Sequence, residues 1–232
     1  MALLATNRAK PKRYEICQAV DAEATVYLYD MIDSFFGVSA KTFVRDLNAI
    51  KAPVIHLRIN SPGGDVFDGR AIATAVAQHP SKVIAHIDGL AASAASYVAT
   101  AADEVEMAPG SFLMINKAWT LAFGNSEDLL ATADILEKID ASLVEDYAKQ
   151  TGQTPEQITA WMQAETWFSA EEAVAEGFAD RVAGETAAQN SWDLSALGKA
   201  PEPIAAAAED DPELELAHAE RNRRVKLLET FA

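Results

Sequence analysis

Hydrophobic and polar residues alternate along Val54–Asn60, with branched aliphatic side chains on one face and His56 and Arg58 on the other. A period of two is typical of a strand that buries one face. The apolar runs Lys82–Ile87 and Glu104–Ala108 are predicted strands as well. These segments predict a sheet whose strands are separated by other elements.

The segments between the strands have helical spacing. Ser39–Ile50 repeats large apolar residues every three or four positions and begins with serine, a favoured N-cap. Gly69–His79 and the long Ser126–Gln150 are also predicted helices, the latter followed by Gly152 as a C-cap candidate. Capped helices then begin at Thr154 and Ser169. Strands that alternate with helices favour an α/β fold with a mainly parallel sheet and right-handed crossovers.

Small residues fill the stretch Gly89–Tyr97, which follows the strand Lys82–Ile87 and precedes a helix-prone run. The pattern predicts a tight turn, because glycine permits backbone paths that other residues avoid. A serine in such a turn, Ser93, would lie beside free helix amides, which suits a nucleophile that generates an oxyanion. Close helix packing would produce the same composition, so this stretch alone is compatible with either role.

Composition restricts the classes of function. The 232 residues are half hydrophobic, enough for one substantial core, and the net charge of −16 argues against a nucleic-acid partner. The single cysteine, Cys17, excludes an internal disulfide and fits a reducing compartment. Neither a secretory signal nor a membrane-spanning run is visible, so a cytoplasmic protein with no membrane partner is expected.

Two regions differ in composition. Residues 1–184 are predicted to form one domain, and residues 185–232 an acidic, flexible tail with room for one short helix. No metal-ligating constellation is apparent, and the glycine turn at Gly63 and Gly64 lacks the lysine of a phosphate-binding loop. No cofactor and no metal are therefore expected.

Four motifs follow one another in an order that resembles the Clp-type serine peptidases. They are Ser61-Pro62-Gly63-Gly64, Gly89-x-Ala91-Ala92-Ser93, Phe112-Leu113-Met114-Ile115 and Phe168-Ser169-Ala170-Glu171-Glu172-Ala173. More narrowly, Asp65–Gly69 and Asn116–Thr120 resemble the head-maturation (prohead) proteases of tailed phages and prophages. The resemblance implies an α/β fold of the ClpP/crotonase type, with stacked ββα units, a mainly parallel sheet and a long helix.

The resemblance also implies roles for individual residues. Ser93 matches the family nucleophile, and the backbone amides of Gly64 and Ala94 match its oxyanion hole. Glycine suits the former because a side chain there would block the reacting carbonyl. Gly63 and Lys117 are the expected substrate-binding residues.

The base and its orienting acid depart from the family pattern. Glu165 stands where the family usually has aspartate, and a glutamate can make the same hydrogen bond to imidazole. A surface carboxylate before a helix is the alternative interpretation of Glu165. Asn116 stands at the histidine position of the triad, and an amide cannot accept a proton near neutral pH.

Three explanations for Asn116 are open. The first, which we favour, is that the protein folds but is catalytically impaired. The second is that a lysine serves as the base in a Ser–Lys dyad. The third is that His86 or His56 reaches the site. Lys117 would point to the opposite face of its strand. Lys138 has acidic neighbours that would raise its pKa rather than lower it.

These observations predict a serine endopeptidase, with protein substrates such as capsid and scaffold segments, located in the host cytoplasm or the procapsid. The resemblance implies ring-shaped homo-oligomers, with the long helix packed between rings. Two alternatives remain at this point: an inactive capsid-assembly component, favoured by Asn116, and a crotonase-type acyl-CoA enzyme, disfavoured by Ser93.

Overall fold

The computed structural model describes residues 14–18, 23–35 and 37–184. Eight strands in these ranges form one sheet. They are β1 (Tyr14–Gln18), β2 (Glu23–Leu28), β3 (Val54–Ser61), β4 (Lys82–Ala92), β5 (Glu104–Met107), β6 (Phe112–Ile115), β7 (Thr166–Ser169) and β8 (Arg181–Val182). The described helices are α1 (Ala40–Ala49), α2 (Val66–Ala77), α3 (Ala94–Ala99), α4 (Ser126–Thr151), α5 (Pro155–Ala164) and α6 (Ala170–Ala175).

Strand β4 organises the sheet because its neighbour changes along its length. It pairs in parallel with β3 on one side. On the other side Ile84–Ile87 pair with β5, whereas Leu90–Ala92 pair with β6. Only the β1–β2 and β6–β7 pairs are antiparallel among the described strands. The predicted α/β fold with a mainly parallel sheet is therefore confirmed.

The two faces of the sheet have different chemistry. The aliphatic residues of β3 that were predicted to point inward, Ile55, Leu57 and Ile59, are fully buried. Each contributes about 1.5–3 kcal/mol by leaving water. The opposite face carries a polar row in which His56 Nδ1 and His86 Nε2 lie 2.8 Å apart. His86 is thus a hydrogen-bonded sheet residue rather than a group that reaches Ser93.

The stretch before Ser93 was wrongly predicted as a turn. Gly89–Ala92 are the last four residues of β4; Leu90–Ala92 pair with β6, and Ala91 also pairs with β3. Pairing on both sides outweighs the turn preference of glycine, because strand propensity depends on neighbouring strands. The turn is therefore confined to Ser93 itself.

Two further predictions need correction. Helix α2 begins at Val66 rather than Gly69, because the Asp65 side chain accepts hydrogen bonds from the amides of Phe67 and Asp68 and caps the helix. Strand β7 was not predicted, since four residues between two helices carry too short a pattern to recognise.

The long helix α4 is buried along only part of its length. Apolar residues recur along it at helical spacing, at Leu129, Ala133, Leu136, Leu143 and Tyr147, but only the last two of these are buried. Leu129 is 45% exposed, so the first half of α4 extends away from the core. In the described part of the chain, every helix is too short or too polar to cross a membrane. The tail predicted for residues 185–232 lies outside the described residues.

Candidate active site

Ser93 adopts a strained backbone conformation between β4 and α3. Its φ of 54° and ψ of −123° are unusual for a residue with a side chain and cost about 1–3 kcal/mol. The surrounding bonds hold this conformation: the Ser93 amide donates to Met114 O at 2.9 Å, and the Ser93 carbonyl accepts from the Ser96 amide at 3.0 Å. The turn presents the half-buried Ser93 side chain at the carboxyl end of β4.

The glycine turn after β3 lies directly against Ser93. A Cβ added to Gly63 would be 3.0 Å from Ser93 Cβ and 2.9 Å from the Ala94 nitrogen. Such an atom would collide with the nucleophile turn, so only glycine fits. The Gly63–Gly64 turn and the Ser93 turn are therefore packed against each other.

The Gly64 amide is directed away from its neighbouring strand segment. Gly64 forms a parallel bridge with Ile32, in which the Ile32 amide donates to Gly63 O and the Asp65 amide donates to Ile32 O. Since these bonds use the residues on either side of Gly64, its own amide points to the opposite side. The amide of Ala94 is the first in α3, so it has no hydrogen-bond acceptor within the helix. Both amides are suited to donate a hydrogen bond to the oxygen of a bound carbonyl.

Strand β6 brings Asn116 between Ser93 and Glu165. Because β6 runs parallel to β4, with Ala92 opposite Met114, Asn116 follows the strand at the edge where Ser93 lies. On its other side β6 is antiparallel to β7, with Ile115 opposite Thr166. Asn116 directly follows β6 and Glu165 directly precedes β7, next to the Ile115–Thr166 pair. Ser93, Asn116 and Glu165 therefore lie at the ends of three adjacent strands.

A cavity of about 470 Å³ joins most of the predicted site residues. Ser93, Asn116, Gly64 and Ala94 all line it. Much of the remaining wall is apolar, from Val66, Trp119, Leu121, Ile135, Leu136 and Ile139. A cavity of this size and character can hold an apolar side chain beside the serine.

A family model described as Clp protease matches residues 7–186. The chain belongs to the Clp protease family. Among curated relatives, the ATP-dependent Clp protease proteolytic subunit 1 of Corynebacterium jeikeium is 32% identical over 130 residues, which are 55% of this chain and 69% of the relative. Proteolytic subunit 2 of Rhodococcus jostii is 33% identical over 135 residues, 57% of this chain and 69% of the relative.

The fold similarity agrees with the family assignment. A solved structure of a ClpP1 mutant from Listeria monocytogenes matches with a TM-score of 0.61 and 24% identity, and the match covers 68% of this chain and 90% of that one. This similarity shows a ClpP-like α/β fold. Clp protease relatives imply a serine peptidase, so Ser93 at the turn is the natural candidate nucleophile.

Three predicted residues lie around this Clp protease site rather than in its cavity wall. Gly63 is packed against the end of β4, where a Cβ added to it would lie 2.4 Å from Ala92 O. Lys117 Nζ lies 3.3 Å from Asp140 Oδ2. Glu165 has a φ of 50° at the end of α5, and its Oε1 accepts from Trp167 Nε1 at 3.4 Å.

None of the histidines and lysines considered as alternative bases lines the cavity. Among the described residues that line it there is neither a histidine nor a lysine. Lys138 is exposed on α4, and His56 lies on the polar face of the sheet beside His86. In residues 14–18, 23–35 and 37–184 there is no cluster of three or more histidine, cysteine or carboxylate side chains that could hold a metal ion.

Sequence reasoning missed three residues, Asp140, Ser96 and Tyr147, that make hydrogen bonds next to the site. Asp140 on α4 is 8% exposed and accepts from the Ala118 amide at 2.7 Å. Ser96 Oγ donates to Ser93 O at 2.7 Å and lies 2.8 Å from Tyr147 Oη. Burial raises the pKa of Tyr147 well above its ordinary value. The only available signal was the spacing of Asp140 and Tyr147, which places a carboxylate in the buried stripe of α4.

Proposed function

We propose that this member of the Clp protease family is a serine endopeptidase of the phage head-maturation type, whose activity is held low by Asn116 at the position of the base. The observation that carries the proposal is the contact between the strained Ser93 turn and the Gly63–Gly64 turn, at the edge of one cavity. Acyl transfer is one of the few reactions that require a serine and two backbone amides in this relation.

The proposed chemistry follows from these positions. Ser93 Oγ attacks the scissile carbonyl of a bound peptide, and the amides of Gly64 and Ala94 stabilise the oxyanion. A base at position 116 would take the hydroxyl proton, and Glu165 would orient that base. Asparagine cannot take the proton, and loss of the base in such a mechanism costs several orders of magnitude in rate.

The head-maturation subtype is supported by where its two characteristic segments lie. Asp65, Val66 and Phe67 from the first segment line the cavity. Asn116, Ala118 and Trp119 from the second segment line it as well. These segments would therefore contact a peptide bound at Ser93. The proposed substrates are capsid and scaffold segments, cut without an unfoldase.

A fluorophosphonate probe tests the catalytic part of the proposal, because it reacts with activated serines. We expect slow labelling of the natural chain and labelling of Asn116→His that is faster by at least a hundredfold. Mass spectrometry of the modified peptide should identify Ser93, and the Asn116→His, Ser93→Ala double variant should not react. A folded Asn116→His protein that labels no faster than this double variant would contradict the proposal.

Substrate class and assembly need separate experiments. The Asn116→His protein should degrade casein, an unstructured substrate, without ATP or a partner ATPase. Ring assembly is proposed to use the exposed first half of α4, where Leu130 is 65% and Ile135 is 54% exposed. Light scattering should give a multiple of the chain mass, and Leu130→Glu should lower it; a monomeric natural chain would refute the ring.

One observation favours a second candidate function, a non-enzymatic capsid-assembly component. Asn116 occupies the base position, and among the described lining residues no histidine or lysine replaces it. For this alternative we expect the natural chain to form the same oligomer and to bind capsid or scaffold protein, while even Asn116→His fails to react with the probe.

A further inference from the structure

The buried stripe of helix α4 contacts both halves of the candidate active site. Its buried residues are Asp140, Leu143 and Tyr147. Asp140 and Tyr147 are seven positions apart, so they lie on the same face of the helix, separated by about 10 Å along its axis. Each makes a polar contact with a segment that carries a site residue.

Asp140 holds the segment that follows β6. Its Oδ1 accepts from the Ala118 amide at 2.7 Å, and its Oδ2 lies 3.3 Å from Lys117 Nζ. The Lys117 amide is bonded as well, to Met162 O at 3.1 Å. Asn116 immediately precedes this doubly held pair, so the position of its backbone depends on Asp140.

Tyr147 holds the nucleophile turn through Ser96. Ser96 has one hydroxyl hydrogen, and it is donated to Ser93 O at 2.7 Å. In the 2.8 Å contact between the two hydroxyls, Tyr147 must therefore be the donor. The resulting sequence of bonds runs from Tyr147 Oη to Ser96 Oγ to the carbonyl of Ser93. It helps to hold the strained backbone conformation of Ser93.

We propose that Asp140 and Tyr147, with Ser96, are positioning residues: together they fix the distance between Ser93 and the side chain at position 116. The helix is the rigid element, and its two polar contacts set the places of the nucleophile and of the base position. A buried carboxylate is costly unless it is fully bonded, and at Asp140 both of its oxygens contact the site segment. This inference rests on the proposed peptidase function for its effect on rate, but not for its structural part.

The structural part is tested by hydrogen–deuterium exchange with residue resolution on the full-length protein. Asp140→Ala should increase exchange of the Ala118 amide at least tenfold, and Asp140→Asn, which keeps an acceptor oxygen, should increase it less. Tyr147→Phe should increase exchange of the Ser96 and Tyr97 amides, which both donate to Ser93 O. Unchanged protection of Ala118 in Asp140→Ala would overturn the inference.

The functional part uses the rate of Ser93 labelling in the Asn116→His background. We expect a loss of roughly two- to tenfold for Tyr147→Phe, which removes one hydrogen bond. The loss should be larger for Ser96→Ala, which removes two hydrogen bonds, and for Asp140→Ala, which removes a hydrogen bond and an ion pair. Asp140→Asn should recover most of the rate. If exchange rises but the labelling rate of a reactive parent stays the same, these residues do not position the site.

Matched controls separate positioning from general stability. Asp134→Asn removes a charge from an exposed position of the same helix, and Tyr27→Phe removes a hydroxyl from the polar face of the sheet. Leu47→Ala should destabilise the core without loosening Ala118 selectively. If Asn116→His does not label at all, the proposed function fails, and the exchange experiment still decides the positioning inference.

Discussion

Gly63→Ala is the most direct test of the contact between the glycine turn and the nucleophile turn. Gly63 has a φ of +82°, and an added Cβ would lie 2.4 Å from Ala92 O and 2.9 Å from the Ala94 nitrogen. Both atoms belong to the backbone, so no side-chain rotation can relieve the collision. The substitution must push the glycine turn away from Ser93 or strain both segments.

Gly152→Ala provides a matched control for the cost of the backbone conformation. Gly152 has a φ of +75°, and nothing lies within 4 Å of its added Cβ. A left-handed conformation costs a residue with a Cβ about 1–2 kcal/mol, so Gly152→Ala should lower the free energy of unfolding by about that amount. Gly63→Ala should add an overpacking cost of about 1–3 kcal/mol. Its expected total is therefore about 2–5 kcal/mol.

Urea unfolding measures both costs, and labelling by the fluorophosphonate probe in the Asn116→His background measures the effect on the site. We expect Gly63→Ala to lower the labelling rate at least tenfold under conditions where the protein is folded, and Gly152→Ala to leave it unchanged. Equal losses of stability for the two variants, together with an unchanged labelling rate for Gly63→Ala, would refute the proposed geometry.

Three further predictions concern the scaffold of the site. Asp65→Ala should lower the free energy of unfolding by about 1 kcal/mol because it removes the cap of α2, whereas Asp65→Asn should change it little in the same urea assay. Burial lowers the pKa of His86 and outweighs the hydrogen bond and charge of Glu106, which raise it; His56 and Arg58 add smaller lowering contributions. Since the unfolded chain then binds the proton more tightly, the free energy of unfolding should fall as pH drops below about 6.5, the ordinary pKa of histidine, and His86→Gln should flatten that dependence. Burial and the neighbouring Asp88 raise the pKa of Tyr29 to about 12, so Tyr29 should be among the last tyrosines to ionise in a spectroscopic titration. Tyr29→Phe should reduce the absorbance change at the highest pH, and a titration curve identical to that of the unsubstituted protein would contradict this.

Several local features follow from short stretches of sequence. Ser39 accepts from the Thr42 amide, Ser169 forms a capping box with Glu172, and Gly152 ends α4 in a left-handed conformation, all as predicted. Each of these signals lies within four residues of the group that it satisfies, so no knowledge of the rest of the fold is needed. The alternation in β3 is predictable for the same reason, because one buried face leaves a period of two.

The candidate site was only partly predictable. The order of the motifs was sufficient to predict that Ser93, Gly64 and Asn116 meet, and all three line one cavity. It was not sufficient to show that Gly89–Ala92 are strand, because that depends on pairing with β6, more than twenty residues away. Nor did it exclude His86 or Lys138 as a base, which required knowing where each side chain lies relative to the cavity.

The amino-acid sequence by itself determined the class of fold, several helix ends and the segments that meet at the site, since these depend on neighbours along the chain and on recognisable motifs. Only the tertiary structure decided that α4 is buried on one half, and that Asp140 and Tyr147 hold the segments of Ala118 and Ser93. Asp140 contacts a residue 22 positions away, and Tyr147 contacts Ser96 across 51 positions. Contacts over such separations form only when the whole chain closes on itself, and no local pattern encodes which pairs will meet.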